Sequence, residues 1–167
     1  MKKLSALAIL VIGFAANVSA QSTASATASA TIISPISITK TVDLDFGNVA
    51  ASGAAGTVVI SPAGVRSTTG GVSLPVITGT VTSASFDVAG QANYTYAITL
   101  PAAAITISSG ANTMSVDAFT STPTATGTLS GLGAQTVTVG ATLNVGASQA
   151  SGLYISGTPF DVTVNYN

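Results

Sequence analysis

Thr158-Pro-Phe-Asp-Val-Thr-Val-Asn-Tyr-Asn167 is the stretch whose reading decides the fold. Phe160, Val162, Val164 and Tyr166 recur at every second position, with Asp161, Thr163 and Asn165 between them. A period of two places four apolar side chains on one face of a pleated strand and the polar ones on the other. A strand of this kind buries one face only, as antiparallel sheets commonly do. The same period returns further back, in Val137, Val139, Ala141, Leu143 and Val145 and in Tyr94, Tyr96, Ile98 and Leu100. Even positions carry it in Ile36, Ile38, Val42, Leu44 and Phe46, with Lys40 as the odd member whose amine is expected to reach the rim.

These patterns predict strands over 36–46, 57–61, 72–77, 81–88, 94–100, 104–107, 113–119, 137–145 and 160–166, with 153–155 leading into the last of them. Small or turn-forming residues separate them: 50–56 reads as a loop, Thr68-Thr-Gly-Gly71 as a turn, and 120–133 as a looser region. No window after residue 20 shows a 3.6-residue apolar period with helix caps. Short strands at this spacing predict an all-β chain folded as an immunoglobulin-like antiparallel β-sandwich.

At the start of the 167-residue chain, Lys2 and Lys3 precede an apolar run from Leu4 to Ala16, and Val18-Ser19-Ala20 supplies small residues before Gln21. Residues 1–20 therefore read as a signal peptide, 21–35 as an N-terminal extension and 36–167 as one sandwich domain. No later apolar run is long enough to predict a helical membrane span. Beyond Gln21 the charged residues are Lys40 and Arg66 against Asp43, Asp45, Asp87, Asp117 and Asp161. Binding nucleic acid needs clustered Lys and Arg, so that class of partner is excluded. So few charges protect solubility poorly and suit a chain that assembles.

The extension alternates as well. Ala24, Ala26, Ala28, Ala30 and Ile32 are interleaved with Thr23, Ser25, Thr27, Ser29 and Thr31, and Pro35 interrupts the pattern. Three readings stand for it: a strand donated to another sheet, a strand of its own sheet, or a flexible leader.

Chemistry is thin. The chain has no Cys, His, Trp or Glu, so it has no thiol, no imidazole base and no Cys or His ligand for zinc. Asp43 and Asp45 are two apart and able in principle to act as paired carboxylates or to hold Ca²⁺, but a solvated strand face is the plainer reading. Gly70, Gly71 and Gly90 sit in turn-like sequence with no helix after them, which does not make a phosphate loop. The expectation is no catalysis, no cofactor and no metal. Tyr94, Tyr96, Tyr154 and Tyr166 are the candidates for a sugar-stacking face, set against core packing with the hydroxyl at a rim, which the apolar stripe shared by Tyr94, Tyr96 and Ile98 favours.

Leu44-Asp-Phe-Gly47, Phe86-Asp-Val-Ala-Gly90, Tyr94-Thr-Tyr-Ala-Ile-Thr-Leu-Pro101, Val139-Gly-Ala-Thr-Leu-Asn-Val145 and Phe160–Asn167 resemble, in order, the signature blocks of the secreted bacterial family called domain of unknown function 4402. That resemblance implies a pilin-like all-β domain found beside secretion chaperones and ushers, and carries no activity. The two ends also resemble chaperone–usher pilins, which finish in an alternating strand with a penultimate Tyr, here Tyr166. Pilins begin with an alternating extension that enters the incomplete sandwich of the next subunit, a role that falls here on residues 22–32. The chain departs from the pilin pattern in lacking a disulfide and in having no Gly between Gln21 and Phe46.

The resulting expectation is a structural, non-enzymatic subunit of a bacterial surface pilus or fimbria-like fibre, built by donor-strand addition. Ala24, Ala26, Ala28, Ala30 and Ile32 are the donor residues, and Phe160, Val162, Val164 and Tyr166 the strand that meets a chaperone or the neighbouring subunit. Its partners are copies of itself or related subunits, with a periplasmic chaperone and an outer-membrane usher implied by the resemblance, and its route is periplasm to cell surface. The alternatives are a self-contained adhesin or carbohydrate-binding module and, further off, an outer-membrane β-barrel.

Overall fold

The structure, a computed structural model, describes residues 21–167. The expected signal peptide, 1–20, lies outside the described residues. The chain divides into two units, Met1–Ile32 and Ile33–Asn167. In the first, residues 21–32 form no strand and every one is exposed.

The second unit is all-β. Its strands are β1 (Ser37–Val42), β2 (Ala50–Ile60), β3 (Arg66–Ser73), β4 (Ala84–Ala89), β5 (Thr95–Thr99), β6 (Ile105–Ser109), β7 (Asn112–Thr122), β8 (Thr126–Thr128), β9 (Ala134–Val145), β10 (Ile155–Ser156) and β11 (Thr163–Tyr166). Every pairing among them is antiparallel.

β9 is the spine. Its five inward residues, Val137, Val139, Ala141, Leu143 and Val145, are all buried. β7 runs along one of its edges, pairing from Asn144 back to Thr138. The other edge is therefore shared in series, β4 taking 134–139 and β2 taking 141–145. β1 extends this large sheet beyond β4, β3 beyond β2, and β6 and β10 beyond β7. A second sheet of three strands, β11-β5-β8, covers one part of it.

Two apolar clusters fill the interior. One packs Ala84, Phe86, Val88, Val137 and Val139 of the large sheet against Tyr96, Ile98, Val162 and Val164 of the small one, with Leu129 beside them. The other gathers Val58, Ile60, Val72, Val116, Ala141, Leu143 and Val145 around Phe46. Two sheets face to face over such a core form the sandwich that the period-two pattern predicts.

The strand bounds differ from expectation where composition misleads. Residues 50–56, read as a loop, belong to β2, and Thr68–Gly71, read as a turn, belong to β3. Ala and Gly are poor strand formers on average, but a Cβ at Gly71 would run into the Ala54 carbonyl, so the small residues are what lets the two backbones approach. Gly70 takes φ +68° beside the irregularity between Ala51 and Gly56. The strand expected over 72–77 stops at Ser73, and Val76 is fully exposed because Pro75 cannot donate to a ladder. The region 120–133, read as loose, contains the end of β7 and all of β8. The strand expected to reach Phe46 ends at Val42, after which Asp45 keeps a single bridge to Thr82 and Phe46 stays buried.

Candidate functional site

The residues that close the core also leave an edge open. Val162, just ahead of β11, and Val164 within it are buried, while Thr163 and Asn165 point outward and are exposed. Phe160 lies ahead of the ladder, edge-on to Phe86 at 6.3 Å and tilted against Phe119 at 4.9 Å between ring centroids. Tyr166 is half-buried and meets Tyr94 edge-on at 5.8 Å.

β11 pairs with β5 alone, Thr163 opposite Thr99 and Tyr166 opposite Tyr96. The phase of this ladder follows from its ends. Asn167 N–H donates to the Thr95 carbonyl at 3.4 Å, whereas Ile98 N–H donates to Ala125 at 2.7 Å on the opposite side of β5. In an antiparallel pair the bonded residues alternate, so Thr163 and Asn165 bond to β5 and the backbone groups of Val164 and Tyr166 face away from it.

β1 repeats the arrangement. Gly90 N–H donates to Gly133 at 2.9 Å, continuing the β4–β9 ladder, so the even residues of β4 serve β9 and the odd ones serve β1. Ser37 and Thr39, opposite Ala89 and Asp87, are thus bonded, and the backbones of Ile38 and Lys40 face outward. Ile36 and Ile38 send half-buried side chains into the first core. β1 and β11 approach within 8 Å between Cα atoms, so their unbonded edges flank one open side of the sandwich. The side chains behind these edges are apolar and packed in the first core, Ile36, Ile38 and Phe160 half-buried and Val162 and Val164 buried.

A small polar network closes one end of this side. Gln91 N–H donates to Tyr166 Oη at 2.6 Å, Tyr166 Oη–H donates to the Ser34 carbonyl at 2.8 Å, and Ser34 N–H donates to Gln91 Oε1 at 3.2 Å. Tyr166 fits because residue 90 is glycine: a Cβ there would collide with the phenol oxygen. Ser34, Gly90 and Gln91 carried no signal of their own in the sequence beyond the block Phe86–Gly90 and the adjacent Pro35.

Of the other residues singled out, Ala24, Ala26, Ala28, Ala30 and Ile32 are exposed and form no strand. The two carboxylates of β1's end do different things: Asp43 pairs with exposed Lys40 at 2.6 Å, and Asp45 accepts the Gly47 N–H at 2.8 Å. Among the described residues no three acidic side chains converge. The tyrosines do not make one platform. Tyr96 is fully buried and donates to Gln135 Oε1 at 2.7 Å, and its burial raises its pKa above the usual 10.0. Tyr94, one residue ahead of β5, continues the ladder by accepting the Leu129 N–H at 2.9 Å and is 43 % exposed. Tyr154 donates to Ala150 at 2.8 Å, within its own loop.

The geometry also sets exposed Thr136 Oγ1 2.9 Å from Asp87 Oδ1, a cross-strand hydrogen bond on the surface between β9 and β4. What it offers is a pair of unfilled strand edges above apolar side chains, able to accept an extended peptide backbone. Neither the curated proteins nor the solved structures contain a match to this chain. The family model described as Domain of unknown function (DUF4402) matches residues 36–166, the strand-bearing part of the chain, and the protein belongs to that family.

Proposed function

We propose that this chain is a structural subunit of a bacterial surface fibre, pilus- or fimbria-like, with no catalytic role, and that subunits join by strand addition. The observation that supports it is the side between β1 and β11, where two edge strands leave backbone donors and acceptors unbonded. An exposed edge of that kind is an aggregation hazard unless a strand fills it. Residues 22–32, an exposed segment with alternating Ala24, Ala26, Ala28, Ala30 and Ile32, have the period and length to do so.

Val164 and Tyr166 of β11, and Ile38 and Lys40 of β1, each offer one donor and one acceptor, so pairing at ~0.5–1.5 kcal/mol net per hydrogen bond gives a few kcal/mol on either edge. Alanines add little apolar area, so Ile32 supplies most of the donor's hydrophobic gain at about 25 cal/mol per Å² buried. Ladder bonds dominate this joint. Before assembly the open side needs a periplasmic chaperone, and export through an outer-membrane usher follows from the same reading, with the fibre at the cell surface as its destination.

The test compares Gln21–Asn167 with a chain beginning at Ser34, by size-exclusion chromatography and electron microscopy. Fibres or an oligomer ladder from the longer chain alone support the proposal. Two compact monomers of equal stability would refute it and favour a self-contained binding module.

A further inference from the structure

A donated strand has two possible destinations, the chain's own open side or that of another copy, and the root of the extension decides between them. To lie between its own β1 and β11, the segment 22–32 must reverse direction just before Ile36, because Ile36 is packed into the first core. Tight two-residue reversals between antiparallel strands need a positive φ at one or both loop residues. The loop available is Ser34-Pro35. Proline's ring holds φ near −65°, and the residue before it is pushed to extended backbone. Ser34 is in addition held by both of its backbone groups, through Gln91 Oε1 and Tyr166 Oη.

Moving the reversal upstream places it on Thr31, Ile32 and Ile33, three β-branched residues for which a positive φ is strongly unfavourable. In residues 21–46 there is no glycine, and no residue there takes a positive φ.

We propose that Tyr166, Gln91 and Pro35 act as a root clamp: they hold Ser34 in line with β1, so that residues 22–32 are delivered to the open side of a second copy and not to their own. The inference rests on the strand-addition reading above and adds to it the direction of donation. Tyr166 and Gln91 are positioning residues in this account. Neither needs to touch the donated strand.

The test uses the full mature chain, Gln21–Asn167, beside a Ser34→Asn/Pro35→Gly variant whose Asn-Gly loop suits a tight hairpin. Amide exchange at Val164 and Tyr166, the unbonded positions of β11, is followed with light-scattering mass at several concentrations. In the wild type these amides are expected to slow by about tenfold or more only as concentration and mass rise. In the variant they are expected to be protected at every concentration, in a monomer.

A variant that follows the wild type overturns the clamp and leaves strand addition between subunits standing, whereas a wild-type monomer protected at every concentration overturns both. Amides unprotected in both chains at all concentrations would overturn strand addition itself. Should the double variant fail to fold, Ser34→Gly/Pro35→Ser, whose Gly-Ser loop suits the other tight hairpin turn, carries the same test. A protected monomeric fraction then supports the clamp, and wild-type behaviour overturns it.

Discussion

Gly127→Ala is the substitution whose outcome follows most directly from the packing. Gly127 sits in β8 directly opposite Tyr96 of β5 and is buried there. A Cβ at 127 would meet the Tyr96 ring at Cζ and Oη and crowd Gln135 Oε1 at 2.5 Å. The ring has nowhere to go, because Tyr96 is fully buried and its hydroxyl is tied to Gln135, which also accepts the Thr128 N–H at 2.9 Å. Overpacking of this kind costs about 1–3 kcal/mol, and displacing the hydroxyl adds about 1 kcal/mol. Replacing glycine in a strand returns about 0.5–1 kcal/mol through the unfolded chain.

The net expectation is a loss of about 1–3.5 kcal/mol, or roughly 3–12 °C in Tm for a domain of this size. Urea and thermal unfolding of the mature chain read it, with near-UV circular dichroism reporting the tyrosine. The same change in a Tyr96→Leu background should cost far less, since the colliding ring is gone, which gives a coupling energy of about 1 kcal/mol or more. If Gly127→Ala stays within about 0.5 kcal/mol of wild type, the range usual for uninvolved surface positions, then Tyr96 does not lie over Gly127 and the β5–β8 register is wrong.

Two further outcomes follow from the tyrosines. Burial raises the Tyr96 pKa, so its neutral form is favoured in the folded state; its contribution to stability is fully present below pH 10.0 and is lost as pH rises from there through the higher folded value. Urea midpoints measured from pH 8 upward should fall more steeply above pH 10.0 in the wild type than in Tyr96→Phe. Gly90→Ala should evict the Tyr166 hydroxyl from its bonds to Gln91 and Ser34 and cost about 1–2 kcal/mol in urea unfolding, whereas in a Tyr166→Phe background the same change should cost distinctly less.

The period-two pattern made the sandwich legible because each burying face must be apolar, and Val137 to Val145, Tyr96 with Ile98, and Val162 with Val164 all lie inward as their spacing requires. Small-residue segments were not legible in the same way. Residues 50–56 and 68–71 look like loops because Ala, Ser and Gly have weak strand preference, yet each is small so that the other can come close. That pairing is a tertiary fact, invisible to a window. The same holds for Tyr94, which keeps the spacing of Tyr96 and Ile98 yet is 43 % exposed.

The open side was half legible. The alternation of Val162, Val164 and Tyr166 marks a strand with one buried face, but which of its backbone groups lack a partner depends on β5 lying on one side only. The clamp was less legible still, since Ser34, Gln91 and Tyr166 lie far apart in sequence and each bond joins a side chain to a backbone atom, a partner that carries no residue identity.

Strand addition between copies is tested most directly by cross-linking, for which the absence of native cysteine is an advantage. One population of the mature chain carries Asn165→Cys, on the outward face of β11, and the other carries a single cysteine at Ser25, Thr27, Ser29 or Thr31, the outward face of the extension. Directly opposed residues on paired strands lie about 4.5–5.5 Å apart, within disulfide reach. The account predicts that mixing the populations under mild oxidation joins two different copies, and does so at one or two adjacent odd positions of the four. Equal cross-linking at all four, or none at any, would contradict it.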